Sequence, residues 1–111
     1  MVYEYRTATR NTTNTSNANV HYSRYGRFVV LTGWFIPSSN GIAAGKEILT
    51  GLIRPNMNTN VFVIDQSTMA TYYLELQDAS TTIKVNNAMP SSVVGHYLNI
   101  QCTYLIGTTV E

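Results

Sequence analysis

The chain has 111 residues, a net charge of +1 and only 12% charged side chains, where roughly a quarter is usual for a soluble domain. That length fits one domain, whose folding buries about two-thirds of the surface that the unfolded chain exposes. The near-neutral balance argues against a nucleic-acid partner, because phosphate binding needs clustered basic residues and Arg6, Arg10, Arg24 and Arg27 are dispersed.

In chain order, residues 2–7 alternate enough to form a first strand. Residues 11–19, NTTNTSNAN, read as a polar low-complexity loop that contributes nothing to a core. Residues 20–24 and 27–36 form a hairpin around Tyr25 and Gly26, with Gly26 free to take a positive φ. The second strand of that hairpin, FVVLTGWFI, is apolar at nearly every position, so both of its faces need cover. PSSNG at 37–41 is a turn. The nearest helix candidate, residues 43–53, is interrupted by Gly45 and Gly51 and closed by Pro55, and a strand over 46–52 is the better reading.

Residues 60–65 form the next strand. Over 70–77 the period is two, with Tyr72, Leu74 and Leu76 on one face and Tyr73, Glu75 and Gln77 on the other. Residues 80–86 follow suit, with Ile83 and Val85 inward. The last strand, HYLNIQCTYLI at 96–106, places Leu98, Ile100, Cys102, Tyr104 and Ile106 on one face. About seven short strands at regular spacing predict an all-β fold, a compact antiparallel β-barrel or sandwich. Residues 1–111 make one domain, with a strand and polar loop over 1–19 and the barrel core over 20–106.

Cys102 is the single cysteine, so no disulfide framework exists within the chain, and its apolar face marks it as core filler. The opening residues, MVYEYRTATR, lack the apolar stretch of a signal peptide. No run approaches the ~20 apolar residues of a membrane helix, and no membrane insertion is expected. A disulfide-free core this small fits a reducing compartment or stabilisation by partner subunits.

Catalytic templates find few parts. Neither His21 nor His96 lies in a nucleophile motif, and two histidines with one buried cysteine do not make a zinc site. Asp65 and Glu75 can approach each other across the 60–77 hairpin, but each reads better as a solvated charge at a strand end than as a glycosidase pair. No phosphate loop appears. The expectation is a non-enzyme without metal or cofactor.

Tyrosine, tryptophan, asparagine, serine and threonine on a rigid β scaffold suit polar recognition, by stacking on sugar rings and hydrogen bonding to hydroxyls. Tyr22, Tyr72 and Tyr104 fall on core faces, whereas Tyr25, Tyr73 and Tyr97 are expected outside. Trp34 suits either setting, with burial slightly favoured.

Two segments carry a resemblance: VHYSRYGRFVVLTGWF at 20–35 and IAAGKEILTGLIRP at 42–55. Their order and spacing resemble the C-terminal head domains of receptor-binding proteins from siphophages of Gram-positive bacteria, lactococcal phages among them. The likeness spans residues 20–106 and rests on turn and core positions. It implies a virion tail or baseplate location, a compact β-barrel head, assembly as a homotrimer, and binding of bacterial cell-wall polysaccharide without hydrolysis. In such a trimer the second face of the 27–36 strand packs against neighbouring subunits. No saccharide-site motif of the family is matched, so candidates come from residue type: His21, Trp34, Arg54, Asp65, Tyr73 and His96. The alternative is a structural module of the same fold that binds other phage baseplate or tail proteins.

Overall fold

The structure, a computed structural model, describes residues 3–107. Nine strands follow one another: β1 (Tyr3–Thr7), β2 (Thr9–Arg10), β3 (Thr15–Tyr25), β4 (Phe28–Pro37), β5 (Glu47–Thr50), β6 (Thr59–Asp65), β7 (Thr71–Leu76), β8 (Ile83–Val85) and β9 (Leu98–Leu105). A single turn of 3-10 helix, Ser91–Val93, precedes β9. All pairings are antiparallel, in the order β1-β3-β4-β9-β6-β7-β8-β5-β2. The ends of that order, β1 and β2, are separated in sequence only by Ala8, so one segment spans the gap and leaves a nearly closed barrel. Across the gap, Thr7 pairs with His21 and Thr9 with Thr50, while the Ala8 amide donates to the Val20 carbonyl at 2.8 Å.

The alternation read from the sequence decides what fills the interior. Val29, Leu31 and Phe35 of β4 point inward, with Val61 and Val63 of β6, Leu74 and Leu76 of β7, and Leu98 of β9, all fully buried. Tyr22 and Tyr104 are buried and Tyr72 is partly so, while Tyr25, Tyr73 and Tyr97 are exposed, as the alternation predicts. The Tyr104 hydroxyl donates to the Ile53 carbonyl at 2.7 Å, which satisfies the one polar atom it carries inside. Cys102 faces Leu31 across the β4–β9 pairing and packs against the core, half-buried.

The strand count exceeds the expected seven, chiefly through β2, a two-residue strand too short to leave a periodic signal. The polar stretch 11–19 also departs from the expected loop, because β3 begins at Thr15 and both Asn14 and Thr15 are buried. Asn11 makes this possible. Its side-chain oxygen accepts from the amides of Thr13 and Asn14, folding a tight turn that returns the chain into β3. Asn14 in turn donates to the Glu47 carbonyl at 2.9 Å, so its polarity is spent inside the fold.

Two glycines set the shape of the β3–β4 hairpin. Gly26, at φ +61, opens the two-residue loop between Tyr25 and Phe28. Gly33, at φ +136, lies opposite Val20, where a Cβ would fall 2.1 Å from the Asn19 carbonyl oxygen. The backbones of β3 and β4 therefore approach at a point where only hydrogen fits.

Candidate functional site: an uncharged aromatic wall

The four adjacent strands β3, β4, β9 and β6 share one outer surface. Their only charged residues are Arg24 and Asp65, and neither reaches it. Arg24 lies on the face of its register partner, the buried Val29, and Asp65 is buried. What does face outward is aromatic, amide, hydroxyl or aliphatic. One row runs Asn19, Trp34, Asn99 and Ile64 across the strands in direct register. The neighbouring row begins His21, Thr32 and Gln101. Charges gather on the other side of the barrel, where Glu75, Lys84 and Glu47 are successive partners across β7, β8 and β5.

Trp34 is half-buried on this wall and not in the core, because the β4 alternation that sends Phe35 inward sends Trp34 outward. The indole meets Tyr97 edge to face, with ring centroids 4.8 Å apart at 67°. On its flank, Gln66 Nε2 donates to Asn99 Oδ1 at 2.6 Å, which leaves the Asn99 amide NH₂ available. Tyr97 is 46% exposed and Ile64 41%, so the pair and its surroundings stand open. A second aromatic pair, Phe62 and Tyr73, stands further along β6 and β7 with centroids 5.0 Å apart at 75°.

His21 is fixed on three sides. Tyr5 stacks on it nearly parallel at 5.2 Å, Nδ1 lies 3.0 Å from the Thr7 hydroxyl, and Nε2 lies 2.7 Å from Asn19 Oδ1. Asn19 Oδ1 is an acceptor, so Nε2 carries the proton in the neutral ring and Nδ1 accepts from Thr7.

Behind the rim of the wall, Asp65 and His96 form a pair, with Nδ1 of His96 donating to Oδ2 of Asp65 at 2.8 Å. The other carboxylate oxygen accepts from the Ser67 amide at 2.8 Å. Burial by itself raises the Asp65 pKa, but hydrogen bonds from His96 and from the Ser67 and Thr68 amides outweigh it and hold the carboxyl below its ordinary range. The pair ties the loop after β6 to the segment before β9, and the Gln66 amide adds a bond to the Tyr97 carbonyl at 3.0 Å. Gln66 and Tyr97 are thus presented to the wall from a common anchor.

Of the six residues selected by type, the fold brings His21 and Trp34 onto this wall through Asn19, and sets Tyr73 at its margin. Asp65 and His96 meet each other behind it. Arg54 stands apart, exposed in the connection between β5 and β6, beside Pro55, which bridges to Ile106. Asp65 and Glu75 do not approach each other: Glu75 pairs with Asn60, at the other end of the hairpin and on the outer face, while Asp65, expected as a solvated strand-end charge, is buried. Asn19, Gln66 and Asn99 are additions that residue type alone does not single out. Asn99 was readable as outward on β9, whereas the other two depend on cross-strand register.

Chemically the wall can stack a flat apolar ring face and hydrogen-bond its hydroxyls. His96 is oriented by a carboxylate, as a general base would be, yet among the described residues no hydroxyl or thiol is hydrogen-bonded to it. Among those residues no group of three or more His, Cys, Asp or Glu side chains is placed to hold a metal ion. No model of a known protein family matches the chain, and no curated protein matches it either.

Proposed function

We propose that this chain is the host-recognition head of a phage tail or baseplate adhesin, binding bacterial cell-surface saccharide without hydrolysing it. The observation that carries the reading is the charge-free outer wall with the Trp34–Tyr97 pair open among Asn19, Gln66 and Asn99. Such a surface is complementary to a sugar, whose ring faces are apolar and whose rim is hydroxyl. The resemblance at residues 20–35 and 42–55 points the same way.

The reading includes assembly as a homotrimer. At the hairpin end of β4 the outward Phe28 is 56% exposed and Val30 half-buried, beside the 37% exposed Leu105 of β9, and this end packs against neighbouring protomers. The Trp34 end stays open as a cleft wall. Three weak sites on one head then act together, and avidity replaces single-site affinity.

The test is titration of purified cell-wall polysaccharide into the protein and its Trp34→Ala variant, with solution mass measured by light scattering. Saturable binding lost in the variant, on a trimer, supports the reading. A trimer that binds a tail or baseplate protein but no polysaccharide points to the structural module instead.

A further inference from the structure

Two of the ring pairs on the wall belong to one line. Tyr5 on β1, His21 on β3, Trp34 on β4 and Tyr97 immediately before β9 follow one another across four adjacent strands. Each is the diagonal neighbour of the next. Tyr5 is opposite Ser23, two residues from His21, and His21 is opposite Thr32, two residues from Trp34. Trp34 is opposite Asn99, two residues from Tyr97. Every step moves the same way along the strands, so the four rings make a single oblique stripe.

The contacts along the stripe agree with the register. At one end Tyr5 stacks on His21 with centroids 5.2 Å apart, and at the other Trp34 meets Tyr97 at 4.8 Å. Asn19 joins the halves, since it stands directly opposite Trp34 and its Oδ1 lies 2.7 Å from His21 Nε2. That bond uses the Asn19 oxygen and leaves its NH₂ as a donor at mid-stripe. On the other margin Thr32 and Gln101 are register partners, both exposed, and among the described residues neither side chain has a hydrogen-bond partner.

Diagonal neighbours on adjacent strands are about 7–8 Å apart, so three such steps make a stripe roughly 20 Å long. A single sugar ring covers one pair and leaves the other bare. We propose that the wall binds an uncharged glycan chain lengthwise, with Tyr5 and His21 as a second subsite beyond Trp34 and Tyr97. This rests on the saccharide reading above and adds that the ligand is an extended run of several sugars, not a terminal one. Ring faces of the chain stack at the two pairs, and the hydroxyls between them meet the Asn19 amide and the Thr32 and Gln101 side chains. A charged chain would give up hydration here with no counter-charge to meet it, so the surface selects a neutral one.

The experiment titrates size-separated fragments of purified cell-wall polysaccharide, from single sugars upward, into the intact protein and follows backbone amide resonances. Affinity is expected to climb with fragment length until the chain spans both pairs, with long fragments at least about tenfold tighter than single sugars. Long fragments are expected to shift Thr7, Asn19, His21 and Asn99 together, and single sugars only the amides around one pair. Tyr5→Ala, at an exposed side chain, is expected to keep the fold and bring long fragments down to the affinity of short ones. Tyr5→Phe, which keeps the ring, restores them. Equal affinity for single sugars and long fragments, long-fragment shifts confined to the Trp34 end, or unaltered long-fragment affinity in Tyr5→Ala overturns the proposal while the saccharide reading stands. Failure of every fragment to bind overturns both.

Discussion

Nδ1 of His96 lies 2.8 Å from Oδ2 of Asp65, and the side chains differ sharply in exposure, 33% for the histidine and 1% for the aspartate. The buried carboxylate is therefore stabilised as an anion by bonds that exist only in the folded chain, and its pKa is lowered there. A depressed folded-state pKa gives stability that is present above the unfolded value of about 4 and is lost as pH falls through the folded value. Urea unfolding followed from pH 7 to pH 2 is expected to show that acid loss. In Asp65→Asn the acid slope shrinks, and stability at pH 7 falls by about 1.5–3 kcal/mol, the worth of hydrogen bonds to a charged group. An unchanged acid limb in that variant rules the linkage out.

Trp34→Ala separates binding from folding. The indole is half-exposed, so its removal costs less than a core truncation of about 3–5 kcal/mol, and thermal unfolding should move only modestly. Polysaccharide affinity is expected to fall at least about tenfold, or ~1.4 kcal/mol. Tyr97→Ala should show the same pattern because its ring supports the indole.

Gly33→Ala tests the close approach of β3 and β4. A Cβ there would meet backbone atoms, the Asn19 carbonyl oxygen at 2.1 Å and Val20 Cα at 2.7 Å, and φ is +136. Backbone cannot swing aside as a side-chain tip can. The expected loss is above about 4 kcal/mol, in the exceptional range for a single substitution. Soluble expression and circular dichroism check it, and a native-like melting curve refutes the close approach as described.

Cys102 is expected to resist thiol reagents in the native protein. Burial pushes its thiol above the ordinary pKa, which keeps the reactive thiolate scarce at neutral pH. Labelling should be slow in buffer and rapid in urea, and prompt labelling of folded protein would contradict its packing against the core.

Much of the barrel was legible because alternation is a local signal. Tyr72 against Tyr73, and Leu98, Ile100 and Tyr104 against Asn99 and Gln101, declare their faces from neighbours in sequence. What stayed hidden depends on register between distant strands. Thr15 to Asn19 look like loop because a strand whose outer face is polar and whose inner face begins with threonine has no hydrophobic period. Asp65 looks like a solvated strand end because its partner, His96, stands 31 residues away. The doubly apolar run in β4 was visible, yet sequence could not tell an interior residue from an open one at Trp34. Its neighbour Phe35 is the one that fills the core.

The strap formed by β1 and β2 leaves the ribosome before either of its partners. Its two pairings, with β3 and with β5, close a ring that also runs through β9, so the ring cannot be sealed until the chain has followed to Leu105. Until then β3 and β5 present unpaired edges, the kind of backbone that recruits other strands. Sealing is also a long-range event, and pairings distant in sequence are slow to form. Ala8→Pro removes the amide that bonds Val20 at the crossing, and it lengthens that vulnerable interval. The cost of a weak strap is then counted in aggregated nascent chains before it is seen in any melting temperature.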